Sequence, residues 1–275
     1  VTENTEADQL MPEWLQTVIY GIVEGITEFL PISSTGHLII VQYFFGETRS
    51  EFFNVGIQSG AVLAVILIYW KKIMLLLHGW RDPENFDYLI KGAAAFAITV
   101  ILALICKKAG LKLPSDPAPI AWAVFVGALL IFAAEYHLKR HQPHEKISWL
   151  IAIVVGLAQV VAAVFPGSSR SASTIIAAML LGTSRMAATE FSFLLGIPTL
   201  LAASAYSLYS ELNEHGSMPP GEVGQFLLGF VVSTIVAFIA VKWLLGFIRN
   251  NSFIPFAWYR LVLGLGLLGW LWFRD

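Results

Sequence analysis

The sequence predicts an all-α polytopic membrane protein made of two inverted-topology halves. Each half is a re-entrant helix–loop–helix hairpin followed by three transmembrane helices. Three observations predict this. The chain of 275 residues is 57% hydrophobic and only 13% charged, with a mean hydropathy of +0.70, about half the charge fraction of a soluble domain. Six apolar runs approach the roughly 20 residues that span a hydrocarbon core. Two further apolar stretches echo one another at a constant spacing of 135 residues: Gly21 with Gly156, Glu24 with Gln159, Pro31 with Pro166, Ser33 with Ser168 and Ser34 with Ser169. An alternating β-barrel pattern is absent.

Residues 1–11 are polar and acidic, without the basic start of a signal peptide, and read as a disordered tail. The first hairpin occupies about 12–46. Trp14–Leu30 forms its first arm, Pro31 and the Ser-Ser-Thr-Gly after it break the run, and Leu38–Phe45 forms its second arm. Three spans follow at Glu51–Trp70, Leu89–Cys106 and Pro119–Leu138, closing repeat 1 at about 12–138. Repeat 2, about 147–273, has the same plan. Its hairpin at 147–182 pairs Ile147–Phe165 with Ala172–Leu181 across Pro166–Ser169, and the spans are Ala187–Tyr209, Val223–Phe247 and Phe256–Trp272. Glu51-Phe52-Phe53 and Glu190-Phe191-Ser192 each open a span in this reading. Irregular backbone at membrane depth requires cover by protein or a wet cavity. An odd number of crossings per repeat makes the second copy run upside down. The whole chain, 1–275, is one membrane domain.

The positive-inside rule puts Lys71, Lys72, Arg81, Lys139, Arg140, Lys146, Arg185, Lys242 and Arg249 inside. Ser210–Glu222, which lacks Lys and Arg, lies outside; Lys107, Lys108 and Lys112 run against the pattern. Trp70, Trp80, Trp149, Trp243, Trp258 and Trp272 sit near the ends of apolar runs, as interfacial anchors do. Cys106 reads as a buried hydrophobe. A net charge of −2 gives no reason to expect a nucleic-acid partner.

The polar residues inside the echoed stretches carry the chemistry, because ionisable groups at membrane depth mark functional cavities. Glu24 and Glu28, four apart, share a helical face, and such a pair holds a divalent cation or shares a proton. Gly21 and Gly25 let another backbone approach that helix. Ser33, Ser34, Thr35 and Gly36 in the first loop, and Gly167, Ser168, Ser169, Ser171 and Thr174 in the second, stand at helix starts. There they either cap the helix or cradle phosphate. Arg170 adds a planar fork matched to phosphate oxygens. His37, beside Ser34 and the two acids, is placed for proton transfer. Gln58 and Glu190 read as supporting polar groups, and Tyr259-Arg260 as a structural pair snorkelling to the interface. No phosphate loop of the G-x-x-x-x-G-K-[ST] type, zinc helix or nucleophile elbow is present.

The run from Gly21 through Glu24, Gly25, Thr27, Glu28, Pro31, Ser33, Ser34, Thr35 and Gly36 to His37, together with Pro166-Gly167-x-Ser169-Arg170-Ser171, resembles the undecaprenyl-diphosphate phosphatase family of the bacitracin-resistance type. The resemblance covers about Trp14 to Trp272. It implies a multi-pass enzyme of the bacterial inner membrane, dimeric, with its pocket facing the periplasm. Such an enzyme removes the terminal phosphate of a C55 polyprenyl diphosphate lipid for cell-wall synthesis and needs a divalent cation, magnesium or calcium. It further implies Glu24 and Glu28 as the acids and metal ligands, Ser34 as candidate nucleophile, His37 as the motif histidine and Arg170 as the phosphate-binding arginine. Ser168 and Ala172 depart from the family's frequent threonine and glycine by small-for-small changes. Gln159 and Ala163 lack the carboxylates of the first repeat, so one active site is expected. The rival reading is an ion-coupled transporter or isoprenyl-lipid flippase on the same scaffold.

Overall fold

The computed structural model describes residues 11–46, 49–110, 117–215 and 222–274; residues 1–10 of the expected tail lie outside these. The described residues form eleven α-helices, and one isolated bridge, between His144 and Thr183, is their only β pairing. In order they are α1 (Glu13–Thr27), α2 (Ser34–Phe45), α3 (Glu51–Ile68), α4 (Trp70–His78), α5 (Pro83–Lys108), α6 (Pro117–Arg140), α7 (Trp149–Val164), α8 (Arg170–Leu180), α9 (Arg185–His215), α10 (Glu222–Ile248) and α11 (Ile254–Arg274). Five of them, α5, α6, α9, α10 and α11, are long and apolar enough to cross a membrane. The sixth expected span is not one straight helix: α3 ends at Ile68, and α4 leaves at 69°. The break falls at Tyr69, while the apolar run still continues to Trp70 ahead of Lys71 and Lys72. Lys72 pairs with Glu190 at 3.2 Å, tying α4 to the second turn of α9.

Helices α1, α2, α7 and α8 occupy the four segments expected as hairpin arms. α2 and α8 begin earlier than expected because Ser33 and Ser169 serve as their N-caps. Cross-packing joins the halves: α1 lies along α10, α7 along α5, α3 between α9 and α10, and α6 along α11. Bare backbones allow the two hairpin contacts. A β-carbon on Gly21 would stand 3.1 Å from the Gly229 carbonyl oxygen, and one on Gly156 2.8 Å from that of Ala95. The polar ends are tied as well. Arg185 pairs in bidentate fashion with buried Glu135 (2.8 and 2.5 Å), which also accepts the Phe253 N–H at 2.8 Å. The six named tryptophans are exposed, as anchors at an apolar surface would be. Cys106 is half-buried. The main core runs through the bundle and takes in the loop before α2, where Phe29, Leu30 and Ile32 join one cluster with Ala172, Ile175, Phe191 and Phe193.

Candidate active site

Close packing draws the acidic helix inward. A β-carbon on Gly25 would meet the Ser233 carbonyl oxygen at 2.8 Å and the Ala237 nitrogen at 2.9 Å, so α1 presses directly on α10. Glu24 is 0% and Glu28 7% exposed; neither is a surface glutamate. Glu28 ends α1, its N–H donating to the Glu24 carbonyl at 2.9 Å. The chain then turns through Ser33, whose φ of 77° lies in the left-handed region that a non-glycine residue rarely enters. Its Oγ accepts from Gly36 N at 3.2 Å and starts α2.

The rear loop repeats this device one residue out of step. Gly167 has φ 93°, and a β-carbon there would stand 2.7 Å from the Ile120 carbonyl oxygen, so glycine alone fits. Ser169 (φ 68°) caps α8, accepting from Ala172 N at 3.3 Å. The capping serines are therefore Ser33 and Ser169, 136 apart, although the prolines before them are 135 apart. The expected pairing of Ser33 with Ser168 and Ser34 with Ser169 is thus shifted by Gly167. The residues that open the two helices are Ser34 and Arg170.

Those two opening residues meet on one carboxylate. Ser34 Oγ donates to Glu28 Oε2 at 2.8 Å, and Arg170 Nη2 donates to Glu28 Oε1 at 3.2 Å. The Arg170 guanidinium lies 5.2 Å over the Phe29 ring and donates from Nη1 to the Ser192 carbonyl at 3.4 Å. Gly196 leaves room for it, since a β-carbon there would collide with the guanidinium. Thr174 Oγ1 bonds the Arg170 carbonyl at 2.8 Å and the Ser192 hydroxyl at 2.5 Å, fixing the first turn of α8 against α9. Ser171 donates to the Leu30 carbonyl at 3.1 Å and ties the rear loop to the front one.

Glu24 is different. Both of its carboxylate oxygens are buried without a hydrogen-bond partner, and the charges that act on it are Glu28 and Arg170. A buried carboxylate in that state is costly unless something pairs with it. Among the described residues no cluster of three or more His, Cys, Asp or Glu could hold a metal. Two carboxylates, one of them unsatisfied, nevertheless suit a hard divalent cation that takes its remaining ligands from water and substrate phosphate.

His37 does not engage Ser34. A carbonyl only accepts, so Nδ1 carries the proton donated to the Ser33 carbonyl at 2.7 Å, and Nε2 is left to accept from the Tyr259 hydroxyl at 2.6 Å. Several predicted phosphate ligands also have structural duties. Ser33 and Ser169 are caps, Gly36 donates to one of them, and Ser168 Oγ donates to the Phe165 carbonyl at 2.8 Å. Thr35 is exposed. The N–H groups at the first positions of α2 and α8 remain available to an anion.

Residues 17–266 match the bacitracin resistance protein BacA family. The chain belongs to that family. An undecaprenyl-diphosphatase of Rhizobium etli is 54% identical over 259 residues, covering 94% of this chain and 97% of the relative. Those of Xylella fastidiosa (50% over 262 residues, 95% and 100% covered) and Xanthomonas oryzae pv. oryzae (46% over 262 residues, 95% and 98% covered) are similar. The shared length takes in both loops of this BacA-family chain. Sequence reasoning missed the groups that α9 and α11 bring to the site: Ser192, Gly196 and Tyr259. Arg260 was expected at the interface but is 0% exposed. Its signal, a charge within an apolar run, was visible and misread as snorkelling. An apolar groove of about 250 Å³, lined by Gly36, Ile39, Ile40, Tyr43, Ile120 and Trp270 among others, opens beside the front loop.

Proposed function

We propose that this protein is an undecaprenyl-diphosphate phosphatase, releasing phosphate from the lipid diphosphate and leaving the monophosphate carrier. The observation that carries the reading is the shared carboxylate of Glu28, which accepts from Ser34 of its own motif and from Arg170 of the other, 142 residues further along the chain. The relatives' printed name supports it. The fold reads as an inverted repeat, about 12–138 and 147–273, with α1–α2 and α7–α8 as re-entrant hairpins. The reciprocal packing of α1 on α10 and of α7 on α5 supports this. The membrane is the bacterial inner membrane, with the front hairpin opening to the periplasm, and the dimer expected from the family resemblance belongs to the same reading.

The roles follow from geometry. Arg170 and the helix-start N–H groups of Ser34, Thr35, Arg170 and Ser171 hold the diphosphate. The first isoprene units enter the groove beside Gly36, and the remaining tail stays in lipid. Glu24, with Glu28 beside it, offers its unpaired oxygens to a divalent cation, magnesium or calcium, which when bound offsets charge on the transferring phosphoryl group. Ser34 Oγ attacks the terminal phosphorus as its proton passes to Glu28 Oε2, and the bridging P–O bond to the lipid monophosphate breaks. Water then cleaves the seryl phosphate. His37, held on both ring nitrogens, orients the front loop. The test is phosphate release from a long-chain isoprenyl diphosphate by detergent-purified protein with magnesium. Release abolished by chelator, and reduced about a hundred- to ten-thousand-fold in Glu28→Gln, is expected. Full turnover by Glu28→Gln would refute the assignment.

A further inference from the structure

We propose that Arg260 is the positioning residue that sets the separation of the two motif loops. Resting on the phosphatase reading above, this makes α11 a third contributor to the site. Arg260 is the largest fully buried side chain among the described residues. All its partners are carbonyl oxygens: Val124 from Nε at 3.2 Å, Ala123, Ser168 and Gly167 from Nη2 at 3.1, 3.2 and 3.3 Å, and Pro31 from Nη1 at 3.4 Å. Pro31 belongs to the front loop, Gly167 and Ser168 to the rear loop, and Ala123 and Val124 to α6. One rigid fork therefore spans both loops and anchors them to the α6–α11 pair. That pair is itself closely packed: a β-carbon on Gly264 would stand 2.9 Å from the Phe125 nitrogen.

Two physical consequences follow. In a planar trans peptide the carbonyl and the next N–H point in opposite directions. Pinning the Ser168 carbonyl therefore turns the Ser169 N–H away from the guanidinium and fixes the start of the α8 cap, next to the helix-start N–H groups of Arg170 and Ser171. The second consequence is electrostatic. Among the described residues no carboxylate pairs with Arg260, whereas Arg170 and Arg185 each have one. A guanidinium in a poorly screened interior without a protein anion leaves a positive field behind both loops, and the substrate's phosphates are the charge that answers it. Lysine cannot substitute, because a point charge with three donors does not bridge five carbonyls. Gly127 provides a second handle. A β-carbon there would collide with the guanidinium from behind, so Gly127→Ala displaces the fork while keeping its charge.

The experiment measures kcat and KM for phosphate release from an isoprenyl diphosphate, melting in detergent, and the rise in melting temperature on adding inorganic pyrophosphate. It compares wild type, Arg260→Lys and Gly127→Ala. A misplacement near 1 Å costs about a hundred-fold. kcat is expected to fall about that much in both variants, with a smaller change in KM. Both should still melt cooperatively but lose the pyrophosphate-induced rise. Wild-type kcat in either variant, or activity lost only in proportion to the unfolded fraction with the pyrophosphate response intact, overturns the proposal. If wild type binds pyrophosphate yet releases no phosphate, the phosphatase reading fails instead, and the pyrophosphate arm alone decides the clamp.

Discussion

The front and rear loops use the same backbone device for different chemistry. Each ends an inward-facing helix near a proline, turns through a left-handed serine and restarts on that serine as cap. Behind the front loop stand Glu24 and Glu28; at the equivalent places behind the rear loop stand Gln159 and Ala163. At the opening of the front helix stands a hydroxyl, and at that of the rear helix a guanidinium. What the two loops share is the means of exposing N–H groups deep in an apolar fold. Under the proposed function, the acid, the nucleophile and the phosphate clamp are divided between them, and only together do they form a site.

The sharpest way to break the comparison is to make the front helix like the rear one. Glu24→Gln removes a buried carboxylate whose oxygens have no partner. Loss of the cation-holding group is expected to lower turnover about a thousand-fold. The same change relieves the burial of an unpaired acid, so the melting temperature of the metal-free protein rises, as happens when function holds a fold below its stability optimum. Magnesium-dependent phosphate release and melting with chelator check both signs. A variant that is both active and less stable would show that Glu24 serves the fold.

The reverse exchange has a smaller effect of opposite kind. Gln159 is 2% exposed and donates from Nε2 to Thr99 Oγ1 at 3.0 Å, while Thr99 donates on towards the Ala95 and Gly156 carbonyls. Gln159→Glu loses that donor and buries an unpaired charge at a cost of about 3 kcal/mol. Turnover per folded molecule should stay at the wild-type level, because Ala163 supplies no second carboxylate. Melting in detergent measures the first effect and specific activity the second. A rise in activity would mean the rear half retains a latent site.

These contrasts mark what the sequence could and could not convey. Composition and run length revealed the membrane class and five of the six expected spans, because the bilayer demands long apolar helices whatever the packing. Glu24, Glu28, Ser34 and Arg170 were legible because ionisable and hydroxyl groups in apolar sequence are expensive. The register of the loops was not. Matching serine to serine pairs Ser34 with Ser169, whereas Gly167, free to take a left-handed φ, adds one residue and pairs Ser34 with Arg170. The Tyr259 bond to His37, 222 residues away, depends on how α11 packs, and no local pattern encodes that. The bend between α3 and α4 was hidden for a similar reason, since hydropathy continues through the break at Tyr69.

The smallest expected effect separates the two caps themselves. Removing a serine cap costs about 1 kcal/mol of helix stability, so Ser33→Ala and Ser169→Ala would be equal if the loops were equivalent. They are not. Among the described residues Ser33 Oγ bonds only within its own helix start, to Gly36 N. Ser169 Oγ bonds Ala172 N and also the Ser171 hydroxyl at 3.1 Å, and Ser171 holds the Leu30 carbonyl of the front loop. Ser171 spends its proton on Leu30, so Ser169 must be the donor between the two hydroxyls, and alanine at 169 leaves Ser171 Oγ without that donor. Ser169→Ala is therefore expected to lower the melting temperature more than Ser33→Ala. Glycine at either site should recover part of the loss by relieving the left-handed φ. Parallel melting curves of the four variants decide it. An equal loss at both caps would mean that the rear loop does not brace the front one through Ser171.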